Sequence, residues 1–332
     1  MYPSRMGEFD LIARYFTRPA RRAVLGVGDD CALLQPGPGM QLAISSDMLV
    51  AGRHFFADVD PQALGHKALA VNLSDLAACG ATPLAFTLAL ALPHIDEAWL
   101  QGFSSGLWAL ADQHGCELVG GDTTQGPLNI CITVFGEVPR GQALLRSGAR
   151  AGDDLYVSGT LGDARLALEA LLGKLSLSPD ELAQARSRLE QPTPRVALGQ
   201  ALRGIATAAI DISDGLAGDL GHVLKASAVG ARIDTSIAIN LIANSPRKTC
   251  RNGLFDASKT LAYVLAGGDD YELAFTAPAS GRQAVEAASK TSQTRVTRIG
   301  QIEQAPGLRL VDAHGQPVTG LLGDLRSFDH FA

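Results

Sequence analysis

The side chains of this sequence best suited to chemistry are aspartates set beside glycines and hydroxyls. Gly26-Val27-Gly28-Asp29-Asp30 places two carboxylates just after a short apolar run. Ser45-Ser46-Asp47 ends the next run, and Gly120-Gly121-Asp122-Thr123 follows a third. Asp211-Ile212-Ser213-Asp214-Gly215 joins an apolar run to a helical pattern, and Gly267-Gly268-Asp269-Asp270 precedes another strand-like stretch. Asn72-Leu73-Ser74-Asp75 lies within a helical pattern. Carboxylate and hydroxyl oxygens are hard donors of the kind Mg²⁺ prefers. Glycine lets backbone N–H groups approach phosphate closely. Many carboxylates, few histidines and exposed amides together suit Mg²⁺-assisted phosphoryl transfer. One Gly-Asp turn is ordinary turn chemistry. The recurrence of such turns at strand ends, where α/β proteins bind ligands, carries the inference. Walker-type G-x-x-x-x-G-K-[ST], G-x-G-x-x-G, H-R-D, D-F-G, H-E-x-x-H and G-x-S-x-G patterns are all missing, which excludes the familiar kinase and hydrolase signatures.

These turns need a scaffold, and the pattern supplies a mixed one. Helical spacing covers Gly7 to Phe16. Strand pieces are expected at Ala23 to Val27, Cys31 to Leu34 and Gln41 to Ser45. Asp60-Pro61 starts a helix that stops at Gly80, and Asp96 to Gly115 is a second helix with a glycine C-cap. Glu117 to Val119 and Asn129 to Val138 read as strands. Further on come a strand at Leu155 to Ser158, helices at Asp163 to Leu172, Ser178 to Glu190 and Gly215 to Ser227, and strands at Ala206 to Ile210, Tyr271 to Thr276 and Arg295 to Ile302. The polar stretch Asn240 to Ser258 is expected to be loop-rich and is the candidate flap. At 332 residues, two domains are expected, with a boundary near Gly141 to Gly152: 1–145 as the ATP/metal-binding and dimerisation domain, and 146–332 as a C-terminal α/β domain.

Composition limits the class. With 28 basic and 34 acidic residues the net charge is −6, which argues against non-specific nucleic-acid binding. The greasiest stretch, Leu84 to Pro93, is about half the ~20 residues needed to span a bilayer, so no membrane partner is expected. No apolar signal segment is visible. The odd set of five cysteines, without a C-x-x-C pair, fits reduced core thiols in a cytoplasmic protein.

Nearly the whole chain resembles the thiamine-monophosphate kinases, within the wider superfamily of aminoimidazole ribonucleotide synthetase-like enzymes. The resemblance lies in the Asp-rich segments above, in Arg53-His54-Phe55, in Arg146-Ser147-Gly148-Ala149, in Gly268-Asp269-Asp270-Tyr271-Glu272-Leu273, and in the terminal Phe328-Asp329-His330-Phe331. It implies a two-domain α/β (α+β) fold, whose N-terminal domain completes a β-barrel across a homodimer. ATP and several Mg²⁺ ions would sit between the domains; a monovalent cation is left open. Asp30, Asp47, Asp75, Asp122, Asp211 and Asp214, with the hydroxyls of Ser45 and Ser46, would be metal ligands. Gly121, Asp122, Arg146 and Ser213 would contact ATP. His54 and Asp269 would contact thiamine monophosphate, and Phe328 would stack on its cationic ring. The family usually carries glutamate where Asp269 and Ala51 stand, and glycine where Ser327 stands.

Plainer roles stand beside these. Asp29 is as well suited to cap a turn as to bind metal, and Ser213 could be an N-cap as well as a phosphate contact. Tyr271 and Leu273 alternate as core residues of a strand. The resemblance implies in-line transfer of the γ-phosphoryl of ATP onto thiamine monophosphate, without a phosphoenzyme. Alternatives are another ATP-using superfamily member, such as an aminoimidazole ribonucleotide or selenophosphate synthetase, or a non-catalytic nucleotide- or metal-binding module. Selenophosphate synthetases carry a reactive Cys and a Lys near the N-terminus, whereas here the first cysteine is Cys31 and the first lysine is Lys67. If the carboxylates converge, the site is strongly negative and nucleotide binding should depend on Mg²⁺.

Overall fold

The computed structural model describes residues 7–243 and 257–318. The chain divides into two compact units, Met1–Leu76 with Ala81–Gly141, and Ala77–Gly80 with Gln142–Ala332. Phe328, Cys250 and residues 244–256 of the candidate flap lie outside the described residues.

The N-terminal unit begins with α1 (Glu8–Leu11), which runs into a π-helical turn at Ile12–Phe16. The strands expected at Ala23 to Val27 and Cys31 to Leu34 do not form. Isolated bridges, Leu25 to Leu33 and Val27 to Asp29, take their place, because no neighbouring strand extends the pairing. Four strands make the sheet: β1 (Met40–Val50), β2 (Thr82–Leu92), β3 (Glu117–Gln125) and β4 (Asn129–Pro139). Their order is β1-β4-β2-β3, antiparallel except for the β2/β3 pair. The apolar run from Leu84 is the interior strand β2, paired on both sides and almost wholly buried.

One face of this sheet carries α2 (Pro61–Ala78), followed in the chain by α3 (Glu97–His114). Sequence-coded caps set their ends. Asp60 accepts from Ala63 N at 2.9 Å. Asp96 accepts from the Ala98 and Trp99 amides, and Gly115 closes α3 in the left-handed region. The two helices cross in backbone contact. A Cβ on Gly65 would lie 2.0 Å from the Phe103 carbonyl oxygen, and one on Gly106 would lie 1.9 Å from that of Gln62.

In the C-terminal unit β5 (Asp154–Ser158), β6 (Ala208–Asp211), β7 (Gly230–Asp234), β8 (Leu273–Ala277), β9 (Val296–Glu303) and β10 (Gly307–Val311) form a sheet of order β10-β7-β9-β5-β8-β6. Every pair is antiparallel except β10/β7. β5 and β8 are buried along their whole length, so both sheet faces are covered. Leu155 and Val157 join Leu166, Ile210, Leu220 and Val264 in the main core, while Tyr156 stacks on Phe275 at 5.2 Å. The helices are α4 (Asp163–Leu171), α5 (Pro179–Glu190), α6 (Val196–Ala201), α7 (Leu216–Ser227), α8 (Thr235–Ala238), α9 (Ala257–Ala266) and α10 (Arg282–Thr291). α5 opens with the Ser178/Glu181 capping box.

Tertiary context overrides several local expectations. β1 continues past Ser45 to Val50, and β3 continues through Gly120-Gly121 to Gln125. The serine and glycine segments therefore lie inside strands, because pairing with β4 and β2 holds them extended. Tyr271 precedes β8, is half-buried and has φ +50°; Leu273 is core as expected. Of the described cysteines, Cys116 is buried, Cys31 is exposed, and Cys79 and Cys131 are half-buried; all four are free thiols. Cys131 alternates along β4 onto the less covered face, which is why it is not core. Among the described residues no helix is long and apolar enough to cross a membrane.

Candidate active site

Ser45, Ser46, Asp47 and Asp75 lie on β1 and α2, and strand alternation sorts those of β1. Ser45 and Asp47 face α2. Ser45 Oγ donates to Asp75 Oδ2 at 2.5 Å, and Asp47 N donates to Asn72 Oδ1 at 3.1 Å. Asn72 is fully buried and is held by its own bond to Ala68 O. Ser46 points to the opposite face, where it meets Thr133 Oγ1 at 3.0 Å and Ile132 O at 3.1 Å. His54 follows the strand, and its Nδ1 accepts from Val50 N at 2.9 Å. That bond places the proton of the neutral ring on Nε2. Buried Lys67 donates to the His54 carbonyl at 3.4 Å.

Gly121 and Asp122 lie in β3. Gly121 has φ +146°, and a Cβ there would lie 1.9 Å from Leu88 O. The glycine is thus required by the sheet, whatever its ligand contacts. The register runs Asp47–Ile132–Leu88–Gly121, and one residue on it runs Met48–Cys131–Ala89–Asp122. Asp122 therefore shares the face of Ser46, opposite to Asp47. Three strand spacings put it roughly 14 Å from Asp47 at ~4.8 Å each. Asp30 sits in the exposed turn before β1, where Asp29 Oδ1 accepts its amide at 2.8 Å. Glu117 anchors the preceding segment by accepting from the Arg21, Arg22 and Ala23 amides.

The C-terminal unit brings its residues together more tightly. The β6–α7 loop carries Asp211, Ser213 and Asp214, and the α9–β8 loop carries Asp269. Three backbone bonds stitch the loops: Asp269 N to Ser213 O (2.7 Å), Tyr271 N to Ile212 O (2.8 Å) and Ile212 N to Glu272 O (2.8 Å). Asp269 and Tyr271 both adopt positive φ, +59° and +50°, a strained choice for residues other than glycine. Buried anchors hold this conformation. Asp270 accepts from Gly162 N at 2.9 Å. Glu272 bonds Ser158, Arg188 and Arg195.

Ser213 is not the N-cap of α7. Gly215 occupies that position and makes no side-chain cap. Asp219, one turn into the helix, instead takes the Ser213, Asp214 and Gly215 amides on its Oδ2 at 3.0, 3.0 and 3.1 Å. Burial pushes the Asp219 carboxyl up to about 7, with nearby Asp214 adding to the rise and the three amides opposing it. Arg146 is exposed. Its carbonyl accepts from Ser227 Oγ at 3.1 Å, at the far end of α7 and about 16 Å along the helix from Leu216, its first residue, at 1.5 Å per residue. Asn72 and Glu272 stand in segments that the sequence marks out, but nothing local assigns them a role; Asp219 is not marked out, although an acidic residue in the first turn of a helix is a readable signal.

Among the described residues, no three His, Cys, Asp or Glu side chains converge closely enough to hold a metal ion by themselves. The donors are nonetheless all hard oxygens. Mg²⁺ is commonly bound by one or two carboxylates with substrate phosphates and water completing its shell. The residues present therefore fit that ion.

Such a fold, with hard-oxygen donors on its strands and loops, defines a class of two-unit α/β proteins suited to a divalent cation and phosphate. Models of the AIR synthase related protein N-terminal and C-terminal domains match residues 28–138 and 150–313. The thiamine-monophosphate kinase of Salmonella typhimurium is 48% identical over 98% of each chain. The crystal structure of the thiamine-monophosphate kinase from Stenotrophomonas maltophilia K279a is 44% identical, with a TM-score of 0.81 over 93% of this chain and 95% of that one. The structure described as AaThiL complexed with AMPPCP and TMP is 31% identical, with a TM-score of 0.73 over 86% and 87%. The chain belongs to the AIR synthase related family and, within it, to the thiamine-monophosphate kinases.

Proposed function

We propose that this chain phosphorylates thiamine monophosphate with ATP, giving thiamine diphosphate and ADP. The observation that carries the reading is the match, along most of both chains, to a relative whose structure holds AMPPCP and TMP together. A phosphate oxygen of the acceptor attacks the γ-phosphorus in line, a new P–O bond forms, and the bond to the β-phosphate oxygen breaks with ADP leaving. An ionised phosphate monoester is already a nucleophile, so positioning and charge neutralisation are the protein's task. Asp30, Asp47, Asp75, Asp122, Asp211 and Asp214, with Ser45 and Ser46, would hold several Mg²⁺ ions rather than one, since Ser45 and Asp47 face α2 while Ser46 and Asp122 lie on the opposite face. When bound, Mg²⁺ neutralises phosphate charge.

The chain's own groups would do the rest. Gly121, Asp122, Arg146 and Ser213 contact ATP, Arg146 by bidentate bonds to phosphate. Ser213 acts through its hydroxyl, since Asp219 takes its amide. His54, with Nδ1 committed to Val50, offers Nε2 to the substrate. Asp269 and Phe328 complete the thiamine site. We also infer a homodimer built on the N-terminal unit. Edge strand β1 exposes Leu42 (43%), Ile44 (60%) and Met48 (52%) on one face, an apolar row that a partner's sheet closing a barrel would cover. The free thiols support a reducing, cytoplasmic setting.

The test is ADP release from ATP and Mg²⁺ across an acceptor panel of thiamine monophosphate, thiamine, formylglycinamidine ribonucleotide and selenide. Turnover with thiamine monophosphate alone is expected. Turnover with another acceptor instead, or nucleotide binding without ADP release for any of them, overturns the reading.

A further inference from the structure

We infer that Asp219 is a positioning residue for the phosphoryl-transfer site, holding in one conformation the loop that presents Ser213, Asp214 and, through it, Asp269. This rests on the proposed kinase function for the roles of those residues, but not for the geometry. Asp219 is the fourth residue of α7 and is 5% exposed. A single oxygen, Oδ2, receives three consecutive backbone N–H groups at 3.0 to 3.1 Å. Consecutive amides converging in this way form an anion nest at a helix N-terminus. Here the nest is filled by the chain's own carboxylate.

Two consequences follow for the site. First, three successive residues lose their rotational freedom together. The Ser213 and Asp214 side chains, both half-buried, then leave a fixed backbone. Second, the fixed segment is the template for the neighbouring loop. The Ser213 carbonyl accepts the Asp269 amide at 2.7 Å, and the Ile212 carbonyl accepts that of Tyr271. The positive φ values of Asp269 and Tyr271 persist only while such surroundings over-determine them. Release of the nest would therefore disturb the nucleotide-side and acceptor-side residues together. Removal of a distant surface group would not do this.

The experiment compares Asp219→Ala and Asp219→Asn with wild type. Asparagine keeps an oxygen of the same reach, but as a weaker, neutral acceptor. Expected for Asp219→Ala is a kcat loss of about 100-fold, the scale of a 1 Å misplacement, with a raised KM for thiamine monophosphate. Asp219→Asn should recover about half of that loss on the free-energy scale and should supply the readout if the alanine variant fails to fold, with kcat about tenfold below wild type on the same reasoning. A purely structural role would lower the melting midpoint and leave kcat per folded molecule and both KM values unchanged. Hydrogen exchange of a peptide covering Ser213 to Gly215 gives a second readout that needs no turnover. Protection in wild type and faster exchange in both variants is expected. The inference is overturned if exchange there is unchanged, or if folded variants keep wild-type kcat and KM. If wild type itself fails to phosphorylate thiamine monophosphate, the function reading fails, while the exchange data still decide whether Asp219 grips the loop.

Discussion

Glu272 gives the sharpest stability prediction. Its carboxylate is fully buried and sits between two guanidinia. It accepts from Arg188 at 2.7 Å, from Arg195 at 2.6 and 2.5 Å, and from Ser158 Oγ at 2.6 Å. Burial alone would lower the proton affinity of Arg195. The bond to Glu272 and its charge outweigh that and hold the guanidinium above its ordinary value. Glu272→Gln keeps the shape and removes the charge, stranding two cations that are 21% and 17% exposed. Breaking a buried pair from one side costs about 3–5 kcal/mol, a large part of the ~5–15 kcal/mol that stabilises a domain. At about 2–4 °C per kcal/mol for a unit of this size, the midpoint of the C-terminal unit should fall by roughly 6–20 °C. Multi-domain chains commonly depart from one-step unfolding, so the probe is chosen to be local. Trp99 and Trp108, the two tryptophans of the chain, both belong to the N-terminal unit and serve as the internal control. Hydrogen exchange in β5 and β8 reports the unit that should weaken. The triple variant Glu272→Met/Arg188→Met/Arg195→Met should regain most of the loss, because no charge is left stranded. A loss under about 1 kcal/mol, the range of exposed pairs, or a triple variant no more stable than Glu272→Gln, would refute this account.

Two further outcomes are expected. Burial holds the Asp270 carboxyl well above its ordinary value, with Asp163 and Glu272 adding to the rise and the Gly162 amide and Arg188 opposing it. Its folded pKa is raised, so its stabilising contribution is fully present below the unfolded value of ~3.9 and is lost as pH rises toward the folded one. Asp270→Asn removes that titration, and its thermal midpoint relative to wild type should climb as pH rises above about 4; a difference independent of pH would count against a neutral Asp270. Ile44→Lys places a charge in the exposed apolar row of β1 and should convert a dimer to a monomer in sedimentation, with the unit still folded. A dimer that survives the change would show that another surface forms the contact.

The sequence by itself determined the elements whose signals are local. Asp96 and Gly115 bound α3, Ser178 and Glu181 open α5, and Asp60-Pro61 starts α2, because a cap needs no partner beyond its own helix turn. It also determined the chemical character of the site, since clustered Gly-Asp turns and hard oxygen donors are visible without a fold. Tertiary structure alone decided where those donors point. Ser45-Ser46-Asp47 and Gly120-Gly121-Asp122 looked like strand ends, but pairing with β4 and β2 keeps them extended inside strands, and alternation then sends Asp47 and Asp122 to opposite faces. β7 and β10 gave no usable signal, since a strand is defined by a neighbour distant in sequence. The residue gripping the Ser213 loop was hidden for the same reason: Asp219 reads as one more helix carboxylate until the fold turns three amides onto a single oxygen.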